Sequence, residues 1–235
     1  MKPVEKDNIG SNTVAVVQAR MGASRLPNKM MMDINGYPII EWVFRRLKRC
    51  KKIDEIIFTI PDSKQDDLLS KYLHGLGGTV FRGSELNVLE RFYQAATYAN
   101  ASHVVRICAD NPLICPVEVD QLVHFFFQHG ECDYAYNHIP INNQYPDGLG
   151  AEMISFDLLS YIFKHANTLS QKEHAFNYIW DNSQHYSIAT FDPQNTELWH
   201  PELRLNVDTI DDYQRLVASG VKIQMNGVEC LKQFL

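Results

Sequence analysis

The sequence has no run approaching the ~18 consecutive apolar residues that a membrane-spanning helix needs. Its N-terminal segment, residues 1–12, contains Lys2, Glu5, Lys6 and Asp7 and no apolar stretch of the kind found in a signal peptide. We therefore expect a flexible N-terminus, no association with a membrane and a cytoplasmic location.

Paired cysteines and an excess of basic charge are also absent. The 5 cysteines form no C-x-x-C pair, which predicts reduced thiols rather than a disulfide framework or a zinc site. Lys and Arg together number 22 against 28 for Asp and Glu, giving a net charge of −6. This charge argues against a protein that wraps nucleic acid non-specifically, because such proteins usually carry a strong basic excess.

Several catalytic motifs are missing. The chain has no G-x-x-x-x-G-K-[ST], no G-x-G-x-x-G after a strand, no H-E-x-x-H and no G-x-S-x-G. These absences disfavour P-loop ATPases, dinucleotide-dependent dehydrogenases, zinc proteases and serine hydrolases. There is also no D-x-D, the metal motif of many nucleotide-sugar glycosyltransferases.

What is present is an alternation of strand and helix patterns, the signature of a mostly parallel sheet with helices on both faces. Residue patterns predict strands at 13–19, 55–60, near Val80, at 103–108, 132–136, 151–156 and 186–191, and in a short segment ending at Asp208. They predict helices at 38–50, 64–75, 86–99, 117–129, 157–166, 171–181 and 209–219. The basic end of the first helix, which includes Arg45 and Arg46, is interpreted as a solvated surface.

The loop after the first strand carries Arg20, Arg25 and Lys29, and no Asp or Glu occurs from Asn8 to Met32. Three cations on a glycine-containing loop suit a polyphosphate, because arginine binds phosphate oxygens in a fork and lysine adds a compact charge. A solvated basic loop would show the same residues. The spacing alone leaves both interpretations open.

Two aspartates follow expected strands. Asp110 comes directly after the 103–108 strand and Asp208 ends the last one, and a carboxylate in such a place can hold Mg²⁺ over the crevice at the carboxyl end of a sheet. Asp110 could equally form a turn with its own backbone, and Asp208 could be an ordinary helix N-cap.

Five segments and one dipeptide carry a family resemblance. They are residues 19–29 (ARMGASRLPNK), 82–89 (RGSELNVL), 106–114 (RICADNPLI), 145–152 (YPDGLGAE) and 205–209 (LNVDT), together with Glu173-His174, interpreted as the start of a helix. In this order they resemble the CTP-dependent cytidylyltransferases that activate acidic sugars such as 3-deoxy-manno-octulosonate and the acylneuraminates. The spore-coat polysaccharide branch of that family is the most similar.

The resemblance implies a role for each matching residue. Arg20, Arg25 and Lys29 would grip the triphosphate, with Arg20, Lys29 and Asp110 as the catalytic set. Asp110 and Asp208 would hold Mg²⁺. The remaining roles are nucleotide binding by Arg82, Ser84 and Arg106, and acceptor binding by Glu152 and His174.

The resemblance also implies the architecture. Residues 13–235 would form a single glycosyltransferase-A-like Rossmann domain with a mostly parallel mixed sheet, in a homodimer. Residues 137–180 would supply the acceptor pocket and partner contact. Four positions depart from the family pattern: Asn28 for Gly, Asn87 for an acid, Ala109 for Gly, and Gly150 for Asp.

The function expected from this resemblance is Mg²⁺-dependent transfer of CMP from CTP to an acidic sugar or sugar phosphate, with release of pyrophosphate. Two alternatives remain open at the level of sequence. One is a guanylyl- or uridylyltransferase for a sugar 1-phosphate on the same fold. The other is a catalytically silent nucleotide-sugar-binding protein.

Overall fold

The computed structural model describes residues 11–235, so the flexibility expected of residues 1–10 lies outside the described part. Asn12 donates a hydrogen bond to the carbonyl of Ala99 (2.7 Å) at the start of the folded chain. The strands are β1 (Thr13–Gln18), β2 (Asp33–Ile34), β3 (Tyr37–Pro38), β4 (Glu55–Pro61), β5 (Thr79–Gly83), β6 (His103–Cys108), β7 (Tyr134–Tyr136), β8 (Glu152–Ser155) and β9 (Ile188–Ala189).

Helices alternate with these strands. They are α1 (Ile39–Leu47), α2 (Asp67–Gly75), α3 (Val88–Tyr98), α4 (Pro116–Gln128), α5 (Phe156–His165), α6 (Leu169–Glu173), α7 (Asn177–Asp181), α8 (Ile210–Ala218) and α9 (Gly227–Leu231). Among residues 11–235 none of the helices is long and apolar enough to cross a bilayer.

The main sheet has seven strands in the order β5-β4-β1-β6-β8-β7-β9. β5, β4, β1 and β6 are mutually parallel, and β8 runs antiparallel to both β6 and β7. This confirms the mostly parallel mixed sheet. β1 and β6 lie side by side at its centre, so the loops that follow them open onto the same end of the sheet.

Alternation along the central strands explains the two-sided core. Ala15, Val17 and Ile107 face one layer of helices, while Val16 and Val104 face the other. The first layer contains α1, α2, α4, α8 and α9, and the second contains α3, α5, α6 and α7. Fully buried β-branched side chains on both faces are typical of parallel strands covered by helices.

The expected helix at 171–181 was wrong in extent, because the segment forms α6 and α7 with a break between them. The break places Phe176 in the second core layer, where its ring lies 6.3 Å from that of Phe92 and 6.0 Å from that of Tyr134. His174 consequently lies at the end of α6 and not at the start of a helix.

The expected strand ending at Asp208 is also absent. The Val207 amide donates to the carbonyl of Asp110 (2.8 Å), and the Val207 carbonyl accepts from the Lys29 ammonium (2.7 Å). Both backbone groups are therefore used by the site loops instead of a strand ladder. The strand expected at 186–191 is limited to β9.

Arg46 corrects the interpretation of the basic end of α1 as a solvated surface. Its side chain is fully buried and donates to the carbonyls of Ile114 (2.7 Å) and Met225 (2.8 Å). It therefore ties α1 to the loop before α4 and to the chain before α9, a helix that the sequence patterns did not predict.

Candidate active site

The basic loop after β1 is held in place at both ends. Asn28 has φ +61°, a left-handed conformation that asparagine tolerates better than most residues, and its amide donates to the carbonyl of Met21 (2.9 Å). The Met21 amide in turn donates to the buried carboxylate of Asp66 (2.8 Å), which also accepts from Ser63. Asp66 is thus a positioning residue for the loop, and no sequence motif pointed to it.

Lys29 lies between the two aspartates. Its Nζ is 3.5 Å from Asp110 Oδ2 and 3.3 Å from Asp208 Oδ1, and the lysine side chain is only 9% exposed. Because one ammonium contacts both carboxylates, residues 110 and 208 lie on the same side of the molecule. This juxtaposition is what a shared cation site requires.

Asp208 is free to serve the site because another residue caps the following helix. Thr209 is the N-cap of α8 and forms a capping box with Asp212, so the N-cap alternative for Asp208 was wrong. Asp208 instead pairs with Arg25, whose Nη2 lies 3.1 Å from Oδ2, and with Arg204 at 3.7 Å. Asn206 donates to the same oxygen at 3.2 Å.

The donor set fits a hard divalent cation. Mg²⁺ usually takes one or two protein carboxylates, with water and phosphate oxygens completing the shell. Residues 11–235 contain no cluster of three or more His, Cys, Asp or Glu side chains suited to a metal, so the Asp110–Asp208 pair would need oxygens from a ligand. A triphosphate held by the adjacent basic loop would supply such oxygens.

A cavity of about 270 Å³ opens at the carboxyl ends of β1 and β6. Its lining comprises Gln18, Ala19, Arg20, Ala23, Ser24, Arg25, Lys29, Met30, Arg106, Cys108, Asp110, His174 and Asp208. Seven residues singled out from the sequence are in this set, namely Arg20, Arg25, Lys29, Arg106, Asp110, His174 and Asp208. Their roles stay predictions, but the fold brings them to one place.

Arg82 and Ser84 are not brought into that cavity. Arg82 donates to Asp67 Oδ1 (2.6 Å) and to the Ser63 carbonyl (2.6 Å), which joins the end of β5 to the start of α2. The Ser84 hydroxyl accepts from the Asn87 amide (3.0 Å) just before α3. In this structure both residues organise the carboxyl end of β5, and their expected role near the nucleotide stays a prediction.

Glu152 lies behind the cavity wall, where it forms an ion pair with Arg106 and accepts a hydrogen bond from the Tyr134 hydroxyl. Burial alone would raise the pKa of Glu152, but Arg106, His138 and Tyr134 together lower it. Burial likewise lowers the pKa of Arg106, and the neighbouring Cys108, Glu152 and Tyr134 raise it overall. Both partners are therefore ionised, and the pair has no net charge.

Asp147 and Arg204 were missed by the sequence reasoning. Arg204 Nε lies 3.6 Å from Asp147 Oδ2. Burial raises the pKa of Asp147, Arg204 opposes this, and the nearby Asp110 and Asp208 add to the rise. The backbone of Asp147 pairs with that of Leu203 and Leu205, which aligns the segment leading to Asp208. The one available signal was the Tyr-Pro-Asp-Gly turn, which was assigned to the acceptor side as a whole.

The cavity also contains a cysteine, but its environment does not favour a nucleophile. Burial raises the pKa of Cys108 to about 12, with a smaller opposing effect from Arg106. A thiol with this pKa is protonated near neutral pH, whereas the thiolate is the nucleophile. The site therefore offers cations and carboxylates, without an activated covalent nucleophile.

Comparison with known proteins agrees with this geometry. A family model described as cytidylyltransferase matches residues 14–225, which include the basic loop and both aspartates. The chain belongs to the cytidylyltransferase family. This cytidylyltransferase is accordingly a CTP-dependent nucleotidyltransferase, in agreement with the resemblance read from its loops.

Three similar proteins show how far the likeness extends. The spore coat polysaccharide biosynthesis protein SpsF of Bacillus subtilis is 30% identical over 209 residues, which cover 86% of this chain and 84% of SpsF. The structure of a cytidylyltransferase from Leptospira borgpetersenii superposes with a TM-score of 0.85 at 25% identity, covering 94% of this cytidylyltransferase and 93% of that chain.

The third protein, CMP:2-keto-3-deoxy-manno-octonic acid synthetase, whose structure contains CTP, has a TM-score of 0.68 at 19% identity. The superposition covers 88% of this chain and 98% of the synthetase chain. At that identity the likeness shows a shared fold. These neighbours confirm the nucleotidyltransferase type of Rossmann fold expected from the sequence.

Proposed function

We propose that this cytidylyltransferase transfers CMP from CTP to an acidic sugar or sugar phosphate, releasing pyrophosphate with Mg²⁺ as cofactor. The observation that carries the proposal is the position of Lys29 Nζ, within 3.5 Å of both Asp110 and Asp208. The same cavity contains Arg20 and Arg25, so a triphosphate bound there would meet cations along one flank and the two carboxylates at the other.

The chemistry is an in-line displacement, in which an acceptor oxygen attacks the α-phosphate and pyrophosphate leaves. Negative charge develops on the leaving group and on the α-phosphate oxygens, and fixed cations facing that charge stabilise the transition state more than the ground state. Arg20, Arg25 and Lys29 are the fixed cations of this site. When bound by Asp110 and Asp208, Mg²⁺ would supply further electrostatic stabilisation at the α-phosphate.

The acceptor would enter the half of the cavity lined by Arg106 and His174, with Glu152 behind Arg106. This assigns Arg106 to the acceptor instead of to the nucleotide, because the buried Glu152 cancels the charge that would attract a phosphate. The likeness to a spore coat polysaccharide protein and to the fold of a keto-deoxy-octonic acid synthetase supports a sugar acceptor of this class. We also propose a homodimer, in which Leu169, an 86% exposed apolar side chain of the 137–180 region, would contact the partner. The cytoplasmic location expected from the sequence stays a proposal.

A screen of nucleotides and acceptors tests the proposal. Pyrophosphate release is measured with CTP, UTP, GTP and ATP, each with Mg²⁺ and a panel of acidic sugars and sugar phosphates. We expect release with CTP and at least one acidic acceptor, abolished by EDTA. Faster release with UTP or GTP would mean that the substrate is that nucleotide and not CTP. Tight CTP binding without turnover on the whole panel would indicate a catalytically silent binding protein.

A further inference from the structure

Three side chains form a surface at the bottom of the cavity, which we call the polar floor: Gln18, Arg106 and Cys108. Gln18 pairs with Cys108 in the parallel register of β1 and β6, and Arg106 lies two residues earlier on β6. Alternation along the strands therefore puts all three on one face of the sheet, the face that also carries the buried apolar residues Val16 and Val104.

The polar floor contains two buried atoms that lack hydrogen-bond partners within residues 11–235. They are Gln18 Oε1, an acceptor, and Arg106 Nε, a donor. Leaving a buried polar atom unpaired is destabilising, because the atom loses its hydrogen bonds to water and gains none in the protein. Most buried polar groups in folded proteins therefore have a partner. Two such atoms at the bottom of one cavity indicate a ligand or water that completes their hydrogen bonds.

The polar floor has no net charge. The Arg106 guanidinium is cancelled by the buried Glu152 carboxylate, which the Tyr134 hydroxyl holds from its other side. Arg106 also lies over the ring of Phe176, with 5.9 Å between the guanidinium carbon and the ring centroid. His138 Nε2 lies 3.8 Å from the Glu152 carboxylate, and burial lowers the pKa of His138, which keeps that imidazole neutral.

A neutral surface that offers both donors and acceptors is complementary to hydroxyl groups. Carboxylates and phosphates are instead best matched by cations whose charge is not cancelled by a buried carboxylate of the protein. The Arg106–Glu152 pair spans β6 and β8, on the side of the sheet centre away from β4 and β5. This is the half of the cavity that the proposed function assigns to the acceptor, so the pair would face the acceptor.

Resting on the proposed function, we propose that Gln18 and Arg106 recognise hydroxyl groups of the acceptor sugar. Glu152 and Tyr134 are positioning residues that fix the guanidinium and cancel its charge. The negative group of an acidic acceptor is bound elsewhere in the cavity, and the polar floor selects the sugar by its hydroxyl pattern.

Equilibrium binding tests this assignment without turnover. Titration calorimetry measures the affinity for 3-deoxy-manno-octulosonate, N-acetylneuraminate and glucose 1-phosphate in the presence of Mg²⁺ and α,β-methylene-CTP. The proteins are the wild type, Gln18→Leu, Glu152→Gln and the exposed control Gln184→Leu. The affinity for the CTP analogue is measured separately without sugar. Gln18→Met serves as a second variant if Gln18→Leu does not fold.

We expect at least one probe to bind the wild type and to bind Gln18→Leu tenfold or more weakly, because a site built for hydrogen bonding is left unpaired. Glu152→Gln should also lower the affinity for the sugar. The affinity of each variant for the CTP analogue, and the affinity of Gln184→Leu for the sugar, should stay within about twofold of the wild-type values, well below a tenfold change.

Three results would overturn the assignment: no probe binding at all, equal sugar affinity in Gln18→Leu, or a tenfold gain for the acidic probes in Glu152→Gln. The last result would mean that Arg106 binds anions and that the Glu152 carboxylate normally prevents this by cancelling its charge. If the wild type binds a sugar through Gln18 but does not bind the CTP analogue, the proposed function fails while the polar floor stands.

Discussion

Lys29 carries one positive charge between two carboxylates, and Arg25 and Arg204 also contact Asp208. Asp110 and Asp208 together carry two negative charges, and Arg25 reaches Asp208 from the solvent side with a side chain that is 65% exposed. An exposed arginine can turn from a carboxylate to a phosphate at small cost, because surface ion pairs contribute only about 0–1 kcal/mol. A nucleotide could therefore take Arg25 while a cation replaces it at Asp208.

Asp110 is the residue whose charge the mechanism most needs. We expect Asp110→Asn to lower turnover at saturating Mg²⁺ and CTP by about 10²-fold or more, the scale for losing one preorganised electrostatic group. Pyrophosphate release measures the effect, and Asp211→Asn is the matched control because Asp211 is exposed in the first turn of α8. Turnover of Asp110→Asn equal to that of the control would remove Asp110 from the catalytic set.

Glu152 predicts a stability effect that depends on pH. Burial would raise the pKa of Glu152, but its partners lower that pKa in the folded protein. The unfolded chain protonates this carboxylate near pH ~4.3, whereas the folded protein keeps it ionised to a lower pH. The unfolded state then binds more protons, so the contribution of Glu152 is present above that pH and lost as the pH falls through the lower folded value. Breaking the buried pair costs about 3–5 kcal/mol.

Urea denaturation measures this effect. Glu152→Gln should be less stable than the wild type at about pH 7, and the difference should shrink below about pH 4 as the native carboxylate is protonated. Glu131→Gln, at an exposed glutamate, should follow the wild type at every pH. A stability difference for Glu152→Gln that is independent of pH would show that Glu152 acts by packing alone.

At the scale of elements, the loop between β7 and β8 is built around a glycine. A Cβ placed on Gly150 would overlap the backbone carbonyl and the side-chain oxygen of Asn137. Asn137 is fully buried, and its side chain accepts from the Ala151 amide (2.9 Å) and donates to the Glu118 carbonyl (3.0 Å). This packing explains why Gly150 departs from the Asp of the family pattern, since no side chain fits there.

Gly150→Ala should therefore lower the free energy of unfolding by about 2 kcal/mol or more, within or above the range for overpacked cores. Gly130→Ala is the control, because a Cβ there meets nothing within 4 Å. Thermal and urea unfolding of both variants measure the difference. Equal stability of the two variants would mean that the loop relaxes freely and does not fix the start of β8.

Hydrophobic spacing and β-branched runs predicted the strands and helices whose formation depends mainly on neighbouring residues. The β-branched run of β1 and the spacing of Leu89, Phe92 and Ala96 on α3 led directly to a buried strand and a helix. The errors arose where distant partners decide. Phe176 breaks a helix to reach the core, and the backbone of Val207 serves Lys29 and Asp110 instead of a strand.

The same distinction applies to the site. Arg20, Arg25, Lys29 and Asp110 were singled out because they follow predicted strands within recognisable loops. Asp208 was singled out by its LNVDT segment, although the strand predicted before it is absent. Asp66, Asp147 and Arg204 were not found, since their importance comes from partners far along the chain. A single sequence contains no signal for such pairings beyond the turn residues beside them.

For the whole molecule, the parallel register of β1 and β6 brings together loops about ninety residues apart, and the segment before α8 completes the site.

The expected assembly of this cytidylyltransferase is a homodimer that uses the 137–180 region. Light scattering should give a mass near twice 27.1 kDa, and Leu169→Ser should shift it toward the monomer. Leu86→Ser is the control, since Leu86 is 85% exposed outside that region. A monomeric wild type would contradict this.

The pairing of Asp110 with Asp208 around a divalent cation is tested most directly by a crystal structure with CTP and Mn²⁺, in which anomalous scattering locates the ion. We expect one strong peak within bonding distance of a carboxylate oxygen from each aspartate and of a phosphate oxygen, with Lys29, Arg20 and Arg25 along the triphosphate. An ion that contacts neither aspartate while CTP occupies the cavity would contradict the metal site.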